Sequence, residues 1–163
     1  MKKGLKISII GLGYVGLPLA IEFSKLYNVI GYDINVKRIL ELNQNKDTNG
    51  ETSSEPIRNA LNKNLKITSD QTEINNSDIF IVTVPTPISD KKIPDLKYLQ
   101  SACRIVGKFL KKDNVVIFES TVYPGCTEED CVPIIEAESK LVYKQDFHCG
   151  YSPERINPGD KSN

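Results

Sequence analysis

Lys6-Ile7-Ser8-Ile9-Ile10-Gly11-Leu12-Gly13-Tyr14-Val15-Gly16 joins a short apolar run to three glycines spaced G-x-G-x-x-G. The β-branched run reads as a buried strand, and a dense apolar stretch from Tyr14 to Leu26 reads as a helix. Pro18 falls near the first turn of that helix, where a missing N–H costs little. A glycine loop between a strand and a helix suits a pyrophosphate. Gly11 permits the tight turn, Gly13 lets the phosphates approach the backbone, and Gly16 lets the helix pack close to the strand. The helix N-terminus adds N–H donors and a partial positive charge.

A second strand, Asn28-Val29-Ile30-Gly31-Tyr32-Asp33, ends on an acid 22 residues after Gly11. A carboxylate there accepts hydrogen bonds from both ribose hydroxyls of an adenosine and repels a 2′-phosphate, which favours NAD over NADP. The same loop and acid would also suit a methyl-donor nucleotide. Arg38, five residues further on, is either a contact to the adenosine edge or a solvated helix cation.

Outward from this pair the chain alternates. A helix follows from Val36 to about Leu42, then a polar stretch from Asn43 to Glu55 that reads as a long mobile loop. A short helix is expected over Pro56–Leu61 and a third strand over Lys66–Thr68. Asp78–Val84 is the clearest buried strand and stops at Pro85-Thr86-Pro87, because proline cannot donate to a ladder. A helix over Leu96–Leu110, a strand over Val115–Phe118, a helix over Thr127–Ala137 and a strand over Phe147–Tyr151 complete the pattern. Six strands alternating with helices predict an α/β, Rossmann-type doubly wound fold, with a mostly parallel six-stranded sheet and helices on both faces. Residues 1–163 read as one domain.

In such a sheet, ligands bind outside the carboxyl ends of the strands. Three ends carry unusual residues: Val84-Pro85-Thr86-Pro87, Glu119-Ser120-Thr121, and Ser152-Pro153-Glu154-Arg155. Singly, each also reads as a strand stop or a helix cap. Cys126 stands near a helix start, where the dipole lowers a thiol pKa, but no base is obvious beside it. His148 reads as a packed strand residue.

With 21 basic and 21 acidic residues the formal net charge is zero, which gives no reason to expect a nucleic-acid backbone or an anionic membrane as partner. No apolar run is long enough for a membrane span. Met1-Lys2-Lys3 before an apolar stretch has the look of a secretory signal, but Gly11, Gly13, Gly16 and Pro18 interrupt it, and a cytoplasmic protein is expected. The four cysteines form no C-x-x-C pair and there is one histidine, so no metal site is expected and free thiols are.

Five segments together resemble the N-terminal part of the UDP-glucose/GDP-mannose dehydrogenase family. They are Ile10–Pro18, Gly31–Asn35, Val84–Pro87, Glu119–Gly125 and Tyr151–Gly159, in order and spanning nearly the whole chain. The last most resembles the branch acting on UDP-N-acetylhexosamines in capsule and O-antigen synthesis. The resemblance implies oxidation of a sugar C6 alcohol to a carboxylate with two NAD+, by way of a cysteine-bound thiohemiacetal and thioester. It implies NAD contacts from Gly11, Leu12, Gly13, Tyr14, Val15, Gly16, Asp33, Arg38, Val84, Pro85, Thr86, Ser120 and Thr121. Thr121 matches a position that places water or substrate, and Glu154 the general base of thioester hydrolysis, a role a carboxylate of raised pKa suits.

Members of the family run to over twice this length. Their central helical segment forms a homodimer, their C-terminal domain grips the UDP-sugar, and their nucleophilic cysteine lies further downstream. None of the four cysteines here matches it, and the second acid that the UDP-glucose branch carries four residues after the first is here Pro158. The expectation is an NAD-binding domain that does not complete the reaction by itself. A stand-alone dinucleotide-binding or regulatory module is the alternative. A hydroxyacid dehydrogenase would share the glycine loop but not the Glu119–Gly125 and Tyr151–Gly159 segments.

Overall fold

The apolar run at Lys6–Ile10 forms β1, a central strand of a six-stranded parallel sheet, in a computed structural model that describes residues 4–88 and 94–153. The remaining strands are β2 (Asn28–Tyr32), β3 (Leu65–Thr68), β4 (Ile79–Val82), β5 (Val115–Phe118) and β6 (His148–Tyr151). Their spatial order is β3-β2-β1-β4-β5-β6. Register is tight at the centre: Ile9 lies beside Gly31 of β2 and Ile81 of β4.

Both faces of the sheet are covered, so β1 is buried from Ile7 to Ile10 with no polar-out alternation apart from Ser8. On one face Ile7, Ile9 and Ile81 pack with Leu17, Ala20 and Ile21 of α1 (Gly16–Ser24), Ile39 and Leu42 of α2 (Val36–Asn43), and Ile57 of α3 (Ser54–Leu61). On the other, Ile10, Phe80, Val82, Val116 and Phe118 pack with Leu99, Ala102 and Val106 of α4 (Lys97–Phe109) and Ile135 of α5 (Val132–Ser139). Each fully buried side chain of this size contributes about 1.5–3 kcal/mol. Ser8 is tolerated because its hydroxyl pairs with that of Ser77 at 2.6 Å.

Several boundaries differ from the sequence reading. α1 begins at Gly16 rather than Tyr14, because Gly13–Val15 form the turn that feeds it, and it ends before the exposed Leu26. β4 ends at Val82, two residues early, where Thr83 turns its hydroxyl onto the carbonyl of Gly11 at 2.7 Å. The helix expected over Thr127–Ala137 is a π-helical turn, Thr127–Cys131, followed by α5. His148 lies on a strand as expected, but on the edge strand and exposed.

The polar stretch after α2 is not the loose loop its composition suggests. Asp47 organises it, accepting from the backbone N–H groups of Asn49 (3.1 Å), Glu51 (3.0 Å) and Thr52 (2.9 Å), and from Arg38 of α2 (2.6 Å). Burial opposes ionisation of Asp47, but these hydrogen bonds and the Arg38 charge outweigh it, and its pKa lies below the ordinary carboxylate value.

Candidate functional site

The strand order reverses direction between β1 and β4, and a groove of ≈ 580 Å³ opens there at the carboxyl ends. Gly11, Leu12 and Gly13 line it from the β1 turn, Asp33 from the end of β2, Arg38 from α2, and Val84 and Pro85 from the end of β4.

The three glycines meet three different constraints. Gly11 has φ +99°, a left-handed conformation, and a Cβ would sit 3.2 Å from the Thr83 carbonyl oxygen. A Cβ on Gly16 would lie 1.9 Å from the Gly11 carbonyl oxygen and 2.5 Å from Thr83 Oγ1. A Cβ on Gly13 would meet nothing within 4 Å. Gly11 and Gly16 are therefore required by the fold, whereas Gly13 leaves open space facing the groove. Tyr14 and Val15 stand at the mouth of α1, Tyr14 exposed.

Asp33 is held at the rim by two backbone donors. Leu12 N–H donates to Oδ2 at 2.8 Å and Asn35 N–H to Oδ1 at 2.9 Å. Carboxylate oxygens accept more than one hydrogen bond each, so both keep capacity for a ligand. Asn35 also caps α2 by accepting from Arg38 N–H.

Arg38 is neither solvated nor free. Its Nε donates to the Leu12 carbonyl at 2.9 Å and its Nη1 to Asp47 Oδ1 at 2.6 Å. Nη2 is buried and is the one such side-chain polar atom without a partner among the described residues. A buried donor left unpaired is costly, and this one belongs to a residue lining the groove.

Thr86, Ser120 and Thr121 do not line the groove; they stitch the ends of β4 and β5 together. Ser120, buried, donates its hydroxyl to the Val84 carbonyl at 2.6 Å, and the Thr86 hydroxyl donates to the Thr121 carbonyl. The side chain of Thr121 is exposed. Glu154, with the rest of the segment from 154 to 163, lies outside the described residues.

Cys126 corrects an expectation. It is fully buried, and burial, with Cys131 and Asp130 nearby, pushes its thiol up to about 12 rather than down. Cys103, Cys126 and Cys131 are all free and buried, and the thiols behave as core groups. Tyr123, two residues after Thr121 in the loop, donates its hydroxyl to Asp130. Among the described residues no group of three or more His, Cys, Asp or Glu side chains is placed to hold a metal, and no helix is long and apolar enough to cross a membrane.

Sequence reasoning missed the far wall. Tyr98, Ser101, Ala102 and Ile105 of α4 close the groove opposite α2, and Asn49 of the Asp47 loop reaches its edge. The α4 residues recur at helical spacing, a stripe visible in the sequence but indistinguishable there from core packing.

Residues 5–163 match the model of the NAD binding domain of the UDP-glucose/GDP-mannose dehydrogenase family. Over 157 residues the chain is 55% identical to a UDP-N-acetyl-D-glucosamine 6-dehydrogenase of Salmonella typhi, covering 96% of this chain and 36% of that protein. It is 53% identical over 159 residues to a protein of the same name from Pseudomonas aeruginosa, covering 98% and 37% respectively. The fold superposes with a TM-score of 0.87 on the NDP-N-acetyl-D-galactosaminuronic acid dehydrogenase of Methanosarcina mazei Go1, at 32% identity, covering 95% of this chain and 35% of the other. The chain thus spans a little over a third of the length of these relatives.

Proposed function

The chain belongs to the UDP-glucose/GDP-mannose dehydrogenase family, as its NAD binding domain, and on that premise we propose that it forms the dinucleotide half of a UDP-N-acetylhexosamine 6-dehydrogenase acting in polysaccharide synthesis in the cytoplasm. The observation that carries the reading is the groove at the β1–β4 switch point. There Gly13 leaves room at a helix N-terminus, Asp33 offers carboxylate oxygens, and Arg38 offers an unpaired donor.

Each of this chain's residues has a definite part in that reading. Gly11, Leu12, Gly13, Tyr14 and Val15 present the turn and the first N–H groups of α1 to the pyrophosphate, with Gly16 holding the helix close enough for them to reach. Asp33 accepts from the adenosine ribose, and Arg38 Nη2 donates to the adenosine edge. Val84 and Pro85, braced by Ser120 and by the Thr86–Thr121 hydrogen bond behind them, form the floor toward the nicotinamide. Thr121 stands at that end, where a water or the sugar would be placed, and Glu154 supplies the base. NAD+ supplies the hydride acceptor. The nucleophilic cysteine and the grip on the UDP-sugar would come from segments that the longer relatives possess, as would a homodimer.

Calorimetric titration with NAD+, NADP+ and UDP-N-acetylglucosamine tests the reading. Binding of NAD+ in preference to NADP+ is expected. A folded sample that binds no NAD+ would sink it. Turnover of the UDP-sugar by this chain alone would overturn the division of labour.

A further inference from the structure

The Asp47 loop folds against the site, and among the described residues Arg38 is the side chain of the site that pairs with it. The Asp47 side chain is 0% exposed and the Arg38 side chain 8%, so their contact at 2.6 Å is shielded from water. Oδ1 of Asp47 accepts from Arg38 Nη1 and Asn49 N–H, while Oδ2 accepts from Glu51 and Thr52 N–H. A guanidinium so placed has three nitrogens to offer. Nε is taken by Leu12, Nη1 by Asp47, and Nη2 has no partner among the described residues.

An arginine beside an adenosine ribose is double-edged. Its planar fork matches a phosphate, so an uncompensated Arg38 would invite a 2′-phosphate and work against Asp33. We propose that Asp47 determines cofactor specificity through Arg38. It offsets the guanidinium charge and occupies one prong of the fork, leaving a single donor suited to an unphosphorylated adenosine. With Asp33 and Asp47 ionised against one Arg38, this trio carries a net negative charge, which disfavours NADP+. The proposal rests on the reading of the groove as the NAD site. It adds a residue that contacts no part of the cofactor and acts by positioning one that does.

An asparagine cannot replace Asp47, because an amide has one accepting oxygen for four donors. With the amide oxygen on Arg38 Nη1 and Asn49, the NH2 group opposes the N–H groups of Glu51 and Thr52; with the amide turned over it opposes Arg38 Nη1; in both, the charge that offsets the guanidinium is gone. In the 163-residue chain, Asp47→Asn is therefore expected to narrow the ratio of NADP+ to NAD+ dissociation constants by about tenfold, or about 1.4 kcal/mol, through improved NADP+ binding. Asp33 remains, so preference is narrowed and not inverted. Asp47→Ser, neutral but still able to accept from loop amides, gives the same readout should the asparagine variant not fold. Asp47→Glu keeps the charge and is expected to keep the wild-type ratio even if the loop loosens and the thermal midpoint falls.

In an Arg38→Gln background the effect of Asp47→Asn on the ratio is expected to vanish. Equal weakening of both dinucleotides, with the ratio unchanged, would reduce Asp47 to a loop anchor and overturn the proposal while leaving the NAD reading intact. A shift that persists without Arg38 would overturn the route through it. A folded wild-type chain that binds neither dinucleotide would remove the underlying reading, and the proposal with it.

Discussion

Two glycines three residues apart separate folding from binding. Gly16→Ala forces a Cβ to within 1.9 Å of the Gly11 carbonyl oxygen, and overpacking of this kind costs about 1–3 kcal/mol. Gly13→Ala meets nothing in the protein. The expected outcome is a lowered thermal midpoint for the first. For the second we expect a near-normal midpoint with NAD+ affinity reduced at least about tenfold, read by calorimetry. Equal loss of stability in both would mean that Gly13 serves the fold and not the ligand. The close approach at Gly16 and the open space at Gly13 were legible from spacing alone, because a motif between a strand and a helix fixes where each Cβ would point. Arg38 was not. Sequence places it on the first turn of α2 but cannot show that the chain returns nine residues later to bury it, since Asp47 sits in a stretch whose composition reads as solvated.

At the scale of elements, the loop and the helix pair each carry a prediction. The pKa of Asp47 is depressed by its donors. A depressed carboxylate stabilises the folded state at pH above its unfolded value of about 3.9 and loses that contribution as pH falls through the lower folded value. Amide chemical shifts of Asn49, Glu51 and Thr52 are expected to hold steady down to pH 5 and to move together only below about pH 4. Independent movement near neutral pH would show that the carboxylate does not organise the loop.

On the opposite face, α4 and α5 pack tightly at Gly107, where a Cβ would lie 2.6 Å from Glu138 Cβ and 3.2 Å from the Ile135 carbonyl oxygen. Gly107→Val is expected to pry the helices apart and lower stability by about 1–3 kcal/mol in urea titration. A neutral result would mean that α5 shifts freely. The helices and strands themselves were readable from apolar patterning. The π-helical turn before α5 was not, because the same residues satisfy a 3.6-residue period over so short a stretch.

Across the whole molecule, the sheet is assembled from two consecutive runs. Residues up to Thr68 supply β1, β2 and β3, residues from Ile79 onward supply β4, β5 and β6, and the strands of the two runs pair only along the β1–β4 ladder. Between them, Asn75 and Asn76 form an exposed turn with Asn76 at φ 65°. Such a chain resembles a two-part lock whose bolt is the ligand. Cut between Asn75 and Asn76, the fragments 1–75 and 76–163 are expected to reassociate. A dinucleotide touching Gly13 and Asp33 on one piece and Val84 on the other would tighten their union by about 100-fold at a hundredfold excess over its Kd. Light scattering of the mixed fragments with and without NAD+ reads this directly. With NAD+ seated as proposed, the groove would then double as a cofactor-gated splice between two halves of one protein.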